Sequence, residues 1–310
     1  MARGNGAGPK GVATRDIVRL GDGTARDERD AVAVEEPLEI RVDGETVAIT
    51  MRTPGHDAEL ALGFLFAEGI IAGAAEVGSV AHCGRPNEEG YGNVLEVRSA
   101  GGAPIDAERV LEGRRWVTTT AACGVCGRRS IEQLLARCGR VEGTARLSRR
   151  AVTAAVERLA AAQPIFARTG GLHAAALFGE DGTLLASAED VGRHNAVDKA
   201  VGALLRRGLV GKGPAAAAAG DARLGLLAVS GRSSFEIVQK AAAAGVPVVA
   251  SVSAPSSLAV DLAGQAGIAL LGFVRGGQLN VYANAWRIEG AEAERGAAAG
   301  AGHTPPGSAT

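Results

Sequence analysis

Aromatic residues are scarce in this chain, 3% of 310 positions, and methionine occurs only twice. Any core must therefore be built from Ala, Val, Leu and Ile, which the 46% hydrophobic content supplies. Charge of neither sign is in excess: 33 Lys and Arg face 34 Asp and Glu, a formal net charge of −1. That balance speaks against a protein that coats nucleic acid, which carries a clear basic excess, but it leaves room for a local basic pocket. No run reaches the ~18 apolar residues of a membrane span. The start, from Met1 to Asp16, has charge and glycine without an apolar centre, so it does not read as a signal peptide. The expected location is cytoplasmic, with no membrane association. Cysteine is sparse too, four residues, and in that compartment they do not form a disulfide framework.

Two of the four are close together. Cys123 and Cys126 lie in the small-residue run Thr118-Thr119-Thr120-Ala121-Ala122-Cys123-Gly124-Val125-Cys126-Gly127. Two thiols at this spacing perform sulfur chemistry or bind metal. A thioredoxin-type site would open a helix directly after a strand, and here Gly127-Arg128-Arg129 intervenes. Structural zinc needs four ligands, and His82, Cys83 and Cys138 supply no second close pair. An iron–sulfur cluster has the same shortage. The remaining reading is a nucleophilic thiol carrying sulfur as a persulfide, its thiolate favoured by Arg128, Arg129 and a following helix start. Sulfur carriage or redox chemistry ranks ahead of metal, and no resident metal is expected. Cys83 and Cys138, each taken alone, read as small buried hydrophobes.

The length fits two domains, each with its own core. Residues 1–28 are Gly-, Arg- and Asp-rich without periodicity and are expected to be a disordered tail. Order begins with Leu38, Ile40 and Val42, the turn Asp43-Gly44, and Val47, Ile49 and Met51 alternating back, which is a hairpin. A helix capped by Asp57 carries Leu60, Phe64 and Leu65 inward and stops near Gly69. Weaker strand signals cover 80–83 and 94–97. The N-terminal α+β domain is thus 29–117, the CxxC loop 118–129, the second domain 130–290, and 291–310 a second disordered tail. In the second domain Ser130 with Gln133 opens a helix, another runs from Ser148 to about Ala162, and strands cover 172–178 and 184–187. A helix starts near Arg193. Residues 211–222 form an Ala/Gly insertion. Apolar runs at 226–229, 246–252 and 268–273, separated by helices, imply neighbouring parallel strands. The fold class is α/β, α+β overall.

Polar residues gather where those runs end. Ser230-Gly231-Arg232-Ser233, Ser253-Ala254-Pro255-Ser256 and Arg275-Gly276-Gly277-Gln278 all fall at strand ends. Ligands of open α/β sheets bind there, against helix N-termini that attract anions. Arg193-His194-Asn195 can join them, giving a crevice that suits a phosphorylated or nucleotide ligand. Ser233 and Ser256, each alone, read as helix caps, Ser233 together with Glu236. His173 is an open case between site and scaffold; His194, flanked by Arg193 and Asn195, leans toward the site. Asp190, Asp198 and Lys199 read either as partners that support the site residues or, ahead of that, as a solvated helix face with an ion pair.

These residues together resemble the formate dehydrogenase accessory sulfurtransferase (FdhD) family from about Glu36 to Tyr282. The runs that carry the resemblance are Cys123-Gly124-Val125-Cys126-Gly127, Thr169-Gly170-Gly171-Leu172-His173-Ala174-Ala175, the eleven residues from Glu189 to Lys199, Ser230-Gly231-Arg232-Ser233 and Ala254-Pro255-Ser256. The resemblance implies a sulfur carrier. It would accept sulfur from a cysteine desulfurase as a cysteine persulfide and pass it to the molybdenum cofactor, bis(molybdopterin guanine dinucleotide), before insertion into the catalytic subunit of formate dehydrogenase. Cys123 would be the carrier and Cys126 the assisting thiol. Phe273, Val274, Arg275, Gly276, Gly277 and Gln278 would contact the guanine-dinucleotide cofactor, in line with the crevice of Arg193, His194, Ser230, Arg232 and Ser233. The second domain would be cytidine-deaminase-like, but the deaminase metal signature is missing at His194-Asn195-Ala196, so deamination is not expected. The rival reading is a zinc-stabilised nucleotide-binding module with structural thiols. Whether a homodimer forms is left open.

Overall fold

The structure, a computed structural model, describes residues 11–85, 88, 91–101, 105, 139–211 and 223–294. Cys123, Cys126, Cys138, the helix expected from Ser130 and nearly all of the 211–222 insertion lie outside the described residues.

The described residues open with a hairpin of β1 (Val12–Gly21) and β2 (Thr24–Ala33), which form a two-stranded sheet of their own. This corrects the expected disordered tail for residues 11–28. Both faces of most of the ribbon meet solvent, so it needs no apolar alternation; ladder bonds and cross-strand pairs such as Arg19 with Glu28 define it instead.

A four-stranded sheet follows, built from β3 (Glu36–Val42), β4 (Glu45–Arg52), β5 (Val77–His82) and β6 (Val94–Ser99) in the order β4-β3-β6-β5. The β3–β4 hairpin turns at Asp43 and Gly44, both at positive φ, 48° and 86°, as a tight two-residue turn requires. Leu38, Ile40 and Val42 point inward as expected. The return strand departs from expectation: Val47 and Ala48 are buried, whereas Ile49 is 66% exposed and Met51 42%. A bulge at Ile40/Arg41 is the cause. One extra residue reverses the facing of the strand beyond it.

Helix α1 (Asp57–Ala67) packs against this sheet, with Leu60 and Leu65 buried. Its N-cap is His56, left-handed at φ 57°, and Asp57 does not cap it. The Asp57 carboxylate instead receives Arg52 through Nε at 3.0 Å and Nη2 at 3.2 Å, and this arginine is almost wholly buried.

The second unit is one six-stranded mixed sheet. Its strands are β7 (His173–Gly179), β8 (Leu184–Asp190), β9 (Leu224–Val229), β10 (Val248–Ser251), β11 (Ala269–Arg275) and β12 (Gln278–Ala283), in the order β12-β11-β10-β9-β7-β8. The central strands β9, β10 and β11 are parallel, as the alternating pattern implied. β12 returns antiparallel to β11, and β7 and β8 are antiparallel additions at the other edge. Alternate side chains serve the two faces. Ala175, Leu177, Leu227 and Val249 join a core with helices α4 (Arg193–Arg206), α5 (Phe235–Ala243) and α6 (Ser257–Ala266). Ala174, Ala176, Phe178, Leu226 and Val248 join another with α2 (Arg149–Ala161). Helix α3 (Phe166–Thr169) is a single turn before β7.

The two units do not keep separate cores. A single apolar cluster runs from Leu38, Ile40 and Leu60 through Val197 and Val201 to Leu270. The seam is α1 against α4, whose backbones approach closely. A Cβ on Gly63 would lie 2.0 Å from the Asp198 carbonyl oxygen, and one on Gly202 1.8 Å from that of Glu59. Glycine costs roughly 1 kcal/mol within a helix; here only its missing side chain permits the contact.

Candidate functional site

The strand directions bring the polar runs to one edge. β9, β10 and β11 end there at Val229, Ser251 and Arg275. Because β7 is antiparallel to β9, its first residue, His173, arrives at the same edge, paired with Asp190 at the end of β8. The segment from Asp190 then turns into α4 at Arg193.

That turn is rigidly built. Asp190 is wholly buried; Oδ2 sits 2.7 Å from Lys199 Nζ and accepts from the Thr53 amide at 3.1 Å. Its Oδ1 accepts from the Gly192 amide at 2.8 Å and from Asn195 Nδ2 at 3.0 Å. Lys199 donates to the Thr53 carbonyl, and Asn195 to the Met51 carbonyl. Glu189 caps α3, accepting from the amides of Ile165 and Phe166. Asp198 is buried against Lys240 of α5, 2.8 Å away. The expectation of a solvated face for Asp190, Asp198 and Lys199 is therefore overturned. Buried charges are tolerated because each is paired, and much of the run from Glu189 to Lys199 braces the two units together.

The loop after β9 is organised by serines. Ser230 Oγ accepts from the Ala174 amide at 2.8 Å, which ties β7 to the loop. Ser251 Oγ donates to the Gly231 carbonyl at 2.7 Å. Ser233 forms a bridge with Pro255, and its carbonyl accepts from the Ser256 amide. That pairing keeps Ser233 extended, so the N-cap of α5 is Ser234, one residue later than expected. Ser256 does cap α6, accepting from the Ala259 amide. Arg232 is exposed. Among the described residues, the buried Ser233 Oγ and Arg193 Nε have no hydrogen-bond partner.

At the end of β11 the ladder is irregular between Gly272 and Arg275. Phe273 sits there in the left-handed region, φ 54°, a conformation bulky residues rarely adopt. The irregularity turns its ring outward, 43% exposed. Gly272 allows the close approach: its Cβ would come within 3.0 Å of both the Ser253 carbonyl oxygen and Tyr282. Gly276 and Gly277, both at positive φ, make the turn into β12, with Arg275 and Gln278 exposed on either side. Val274 is different. Its side chain is fully buried in the core with Phe178 and Leu271, so only its backbone faces the edge.

His194, on the first turn of α4, is held at both ring nitrogens. Nδ1 lies 3.0 Å from Glu236 Oε2, and Nε2 2.8 Å from Ser234 Oγ. Burial, then the charges of Lys240, Arg193 and His173, push its pKa down to about 3. His173 is likewise lowered, by burial first and then by Arg193 and Arg232. The edge is thus electropositive. Ser234 and Glu236 were not legible as partners of His194. The pair Ser233-Ser234 hides which serine faces the ring.

A pH dependence follows for His194. In the unfolded chain it takes a proton near its ordinary value of 6.5, in the folded chain only near 3. Between those values the unfolded state binds the extra proton, so stability falls on acidification by up to about 1.4 kcal/mol per pH unit. Urea melts at pH 6.5 and 5 should show the wild type losing about 1.6 kcal/mol more than His194→Gln, the unfolded imidazole being half protonated already at pH 6.5. Equal losses would show that His194 is not held neutral.

Cys83 directly follows β5, next to His82, and is free and half-buried, less buried than the small hydrophobe expected. His82 lies 3.3 Å from Asp57 Oδ2. No helix among the described residues is long and apolar enough to cross a membrane.

Comparison with known proteins accords with this geometry. A solved structure described as a formate dehydrogenase accessory protein from Desulfotalea psychrophila shares the fold with a TM-score of 0.67 at 23% identity, covering 90% of this chain and 99% of that one. The sulfur carrier protein FdhD of Anaeromyxobacter dehalogenans strain 2CP-1 is 65% identical over 283 residues, 91% of this chain and 96% of its own. The protein of the same name from Streptomyces avermitilis is 46% identical over 279 residues, 88% of this chain and 94% of its own. The profile of the FdhD/NarQ family matches residues 33–289, which spans the four-stranded and six-stranded sheets, the cysteine pair and the polar edge. The chain belongs to the FdhD/NarQ family.

Proposed function

We propose that this chain is a sulfur carrier in formate dehydrogenase maturation, a cytoplasmic sulfurtransferase that works through a cysteine persulfide. The thiolate of Cys123 attacks the outer sulfur of a persulfide on a cysteine desulfurase; the new S–S bond forms as the donor's thiolate leaves. Cys126 can then attack the Cys123 sulfur, closing a disulfide and releasing the outer sulfur as hydrosulfide. The recipient is the bis(molybdopterin guanine dinucleotide) cofactor, bound as substrate before it enters the catalytic subunit of formate dehydrogenase. Relatives named as sulfur carriers support the first half of this reading.

The observation that carries the second half is the outward Phe273 beside the exposed Arg275. In a chain with so few aromatics, holding one in a left-handed bulge at the ligand-binding edge suits stacking against a purine ring. Arg275 adds a cation for the phosphates. Across the edge, Arg193 Nε and Ser233 Oγ lack partners, and Arg232 and His194 complete the wall. Ser230 shapes the loop through its bond to Ala174. Calorimetry with GDP tests the pocket. Arg275→Ala should weaken binding about tenfold or more, since a charge-assisted contact is worth about 1.5–3 kcal/mol. No binding of GDP or of the whole cofactor would remove the reading.

A further inference from the structure

Ser234, His194 and Glu236 form a hydrogen-bonded line that sulfur carriage does not require. His194 Nδ1 is 3.0 Å from Glu236 Oε2, and Nε2 is 2.8 Å from Ser234 Oγ. The line is not a local turn, for His194 opens α4 while Ser234 and Glu236 stand forty and forty-two residues later at the start of α5. The proton positions follow from the partners. A ring nitrogen facing a carboxylate carries the hydrogen, so Nδ1–H donates to Glu236. Nε2 is then an acceptor, and the Ser234 hydroxyl donates into it.

A second observation concerns Ser234 itself. It occupies the N-cap position of α5 yet makes no capping bond. An N-cap serine ordinarily turns its oxygen to an amide of the first turn. Here the hydroxyl is given to the imidazole instead, at the positive end of a nine-residue helix. Orienting carboxylate, imidazole and hydroxyl in this order are the parts of an activated oxygen nucleophile, recognised by geometry and not by sequence position. The helix end favours the negative charge that develops on a substrate oxygen beside it.

We propose that Ser234 is a nucleophile, with His194 as its base and Glu236 as the positioning residue, and that it accepts acyl groups from esters or thioesters of an anionic acid. The hydroxyl oxygen attacks the carbonyl carbon, and its proton passes to His194 Nε2; the burial that keeps the free ring neutral makes it a weak base, and Glu236 across Nδ1 offsets the charge that the ring gains in the step. The tetrahedral adduct collapses, breaking the bond to the leaving oxygen or sulfur, which takes the proton from Nε2. Water then attacks the acyl-serine by the same route, which frees the acid and restores the hydroxyl. Water is the only co-reactant. The preference for an anionic acid comes from the surroundings: Arg193, with its unpartnered Nε, lies beside His173 and Gly231, and Arg232 adds a further cation. The proposal does not involve Cys123, and it shares His194, Arg193 and Arg232 with the edge proposed for the cofactor.

The test uses the full chain and a tagged alkyl fluorophosphonate. The oxygen–phosphorus bond forms, fluoride leaves, and the proton goes through Nε2 to solvent. Digestion and mass spectrometry should find the adduct on Ser234. Glu236→Gln, checked for an unchanged melting temperature, should react at least about tenfold more slowly. A probe of the same structure bearing a carboxylate should react faster than the neutral one at low salt. Absence of an adduct on Ser234 in the wild-type protein, with a serine hydrolase in the same tube fully labelled, overturns the proposal. So does an equal rate in Glu236→Gln. An equal rate for the two probes overturns the anionic preference.

Discussion

Alanine at Cys123 is expected to leave formate dehydrogenase assembled but inactive in cells that depend on this protein. The fold should survive, because the substitution removes one small side chain from a run of Thr, Ala and Gly. What is lost is the atom that bears the transferable sulfur. A persulfide acceptor must be accessible and partly ionised, and Arg128 and Arg129 follow the pair closely in sequence. Cys83 and Cys138 also have arginines near them in sequence, Arg85 for the first and Arg137 and Arg140 for the second, but neither has a second thiol three positions on, so neither should substitute. Cys126→Ala should act differently: loading persists, while delivery falls. Full formate dehydrogenase activity with Cys123→Ala would end the assignment.

The second large effect is on stability and lies at the seam between the units. Lys240 Nζ contacts both carboxylate oxygens of Asp198, at 2.8 and 2.9 Å, with both side chains almost wholly buried. Burial raises the Asp198 pKa to about 7 against the pull of Lys240. Lys240 is raised despite its burial, by Asp198, Glu236 and Glu68. At pH 8 the pair is ionised. Asp198→Ala should then cost about 3–5 kcal/mol, because it leaves an ammonium buried without its counter-charge. Asp198→Leu combined with Lys240→Met should recover most of that loss, since a buried pair adds little over apolar packing of the same volume. Denaturant melts of the single and double variants check both numbers. A cost below about 1 kcal/mol for Asp198→Ala would mean that water reaches the pair.

What the sequence discloses depends on whether a local rule decides. The turn at Asp43-Gly44, the cap at Ser256 and the apolar runs of β9, β10 and β11 follow from residue type alone, and the structure has them. The mixed α/β class follows from the same runs. Where a partner distant in sequence decides, the reading fails. The β1–β2 ribbon looks disordered because both its faces meet water and carry charge. Ile49 and Met51 look buried because a bulge leaves no trace in the pattern. Asp190 and Lys199 look solvated because their polarity is visible and their mutual pairing is not. The site divides the same way. Strand ends and arginines place the edge, but the outward turn of Phe273 and the bond from Ser234 to His194 come from the ladder irregularity and from helix packing.

The most direct test of sulfur carriage is mass spectrometry of the full chain after incubation with a cysteine desulfurase and cysteine. The peptide containing Cys123 should gain the mass of one sulfur atom, and reductant should remove it. A desulfurase that turns over while Cys123 gains nothing, or while the sulfur settles on Cys83 or Cys138 instead, would contradict the account.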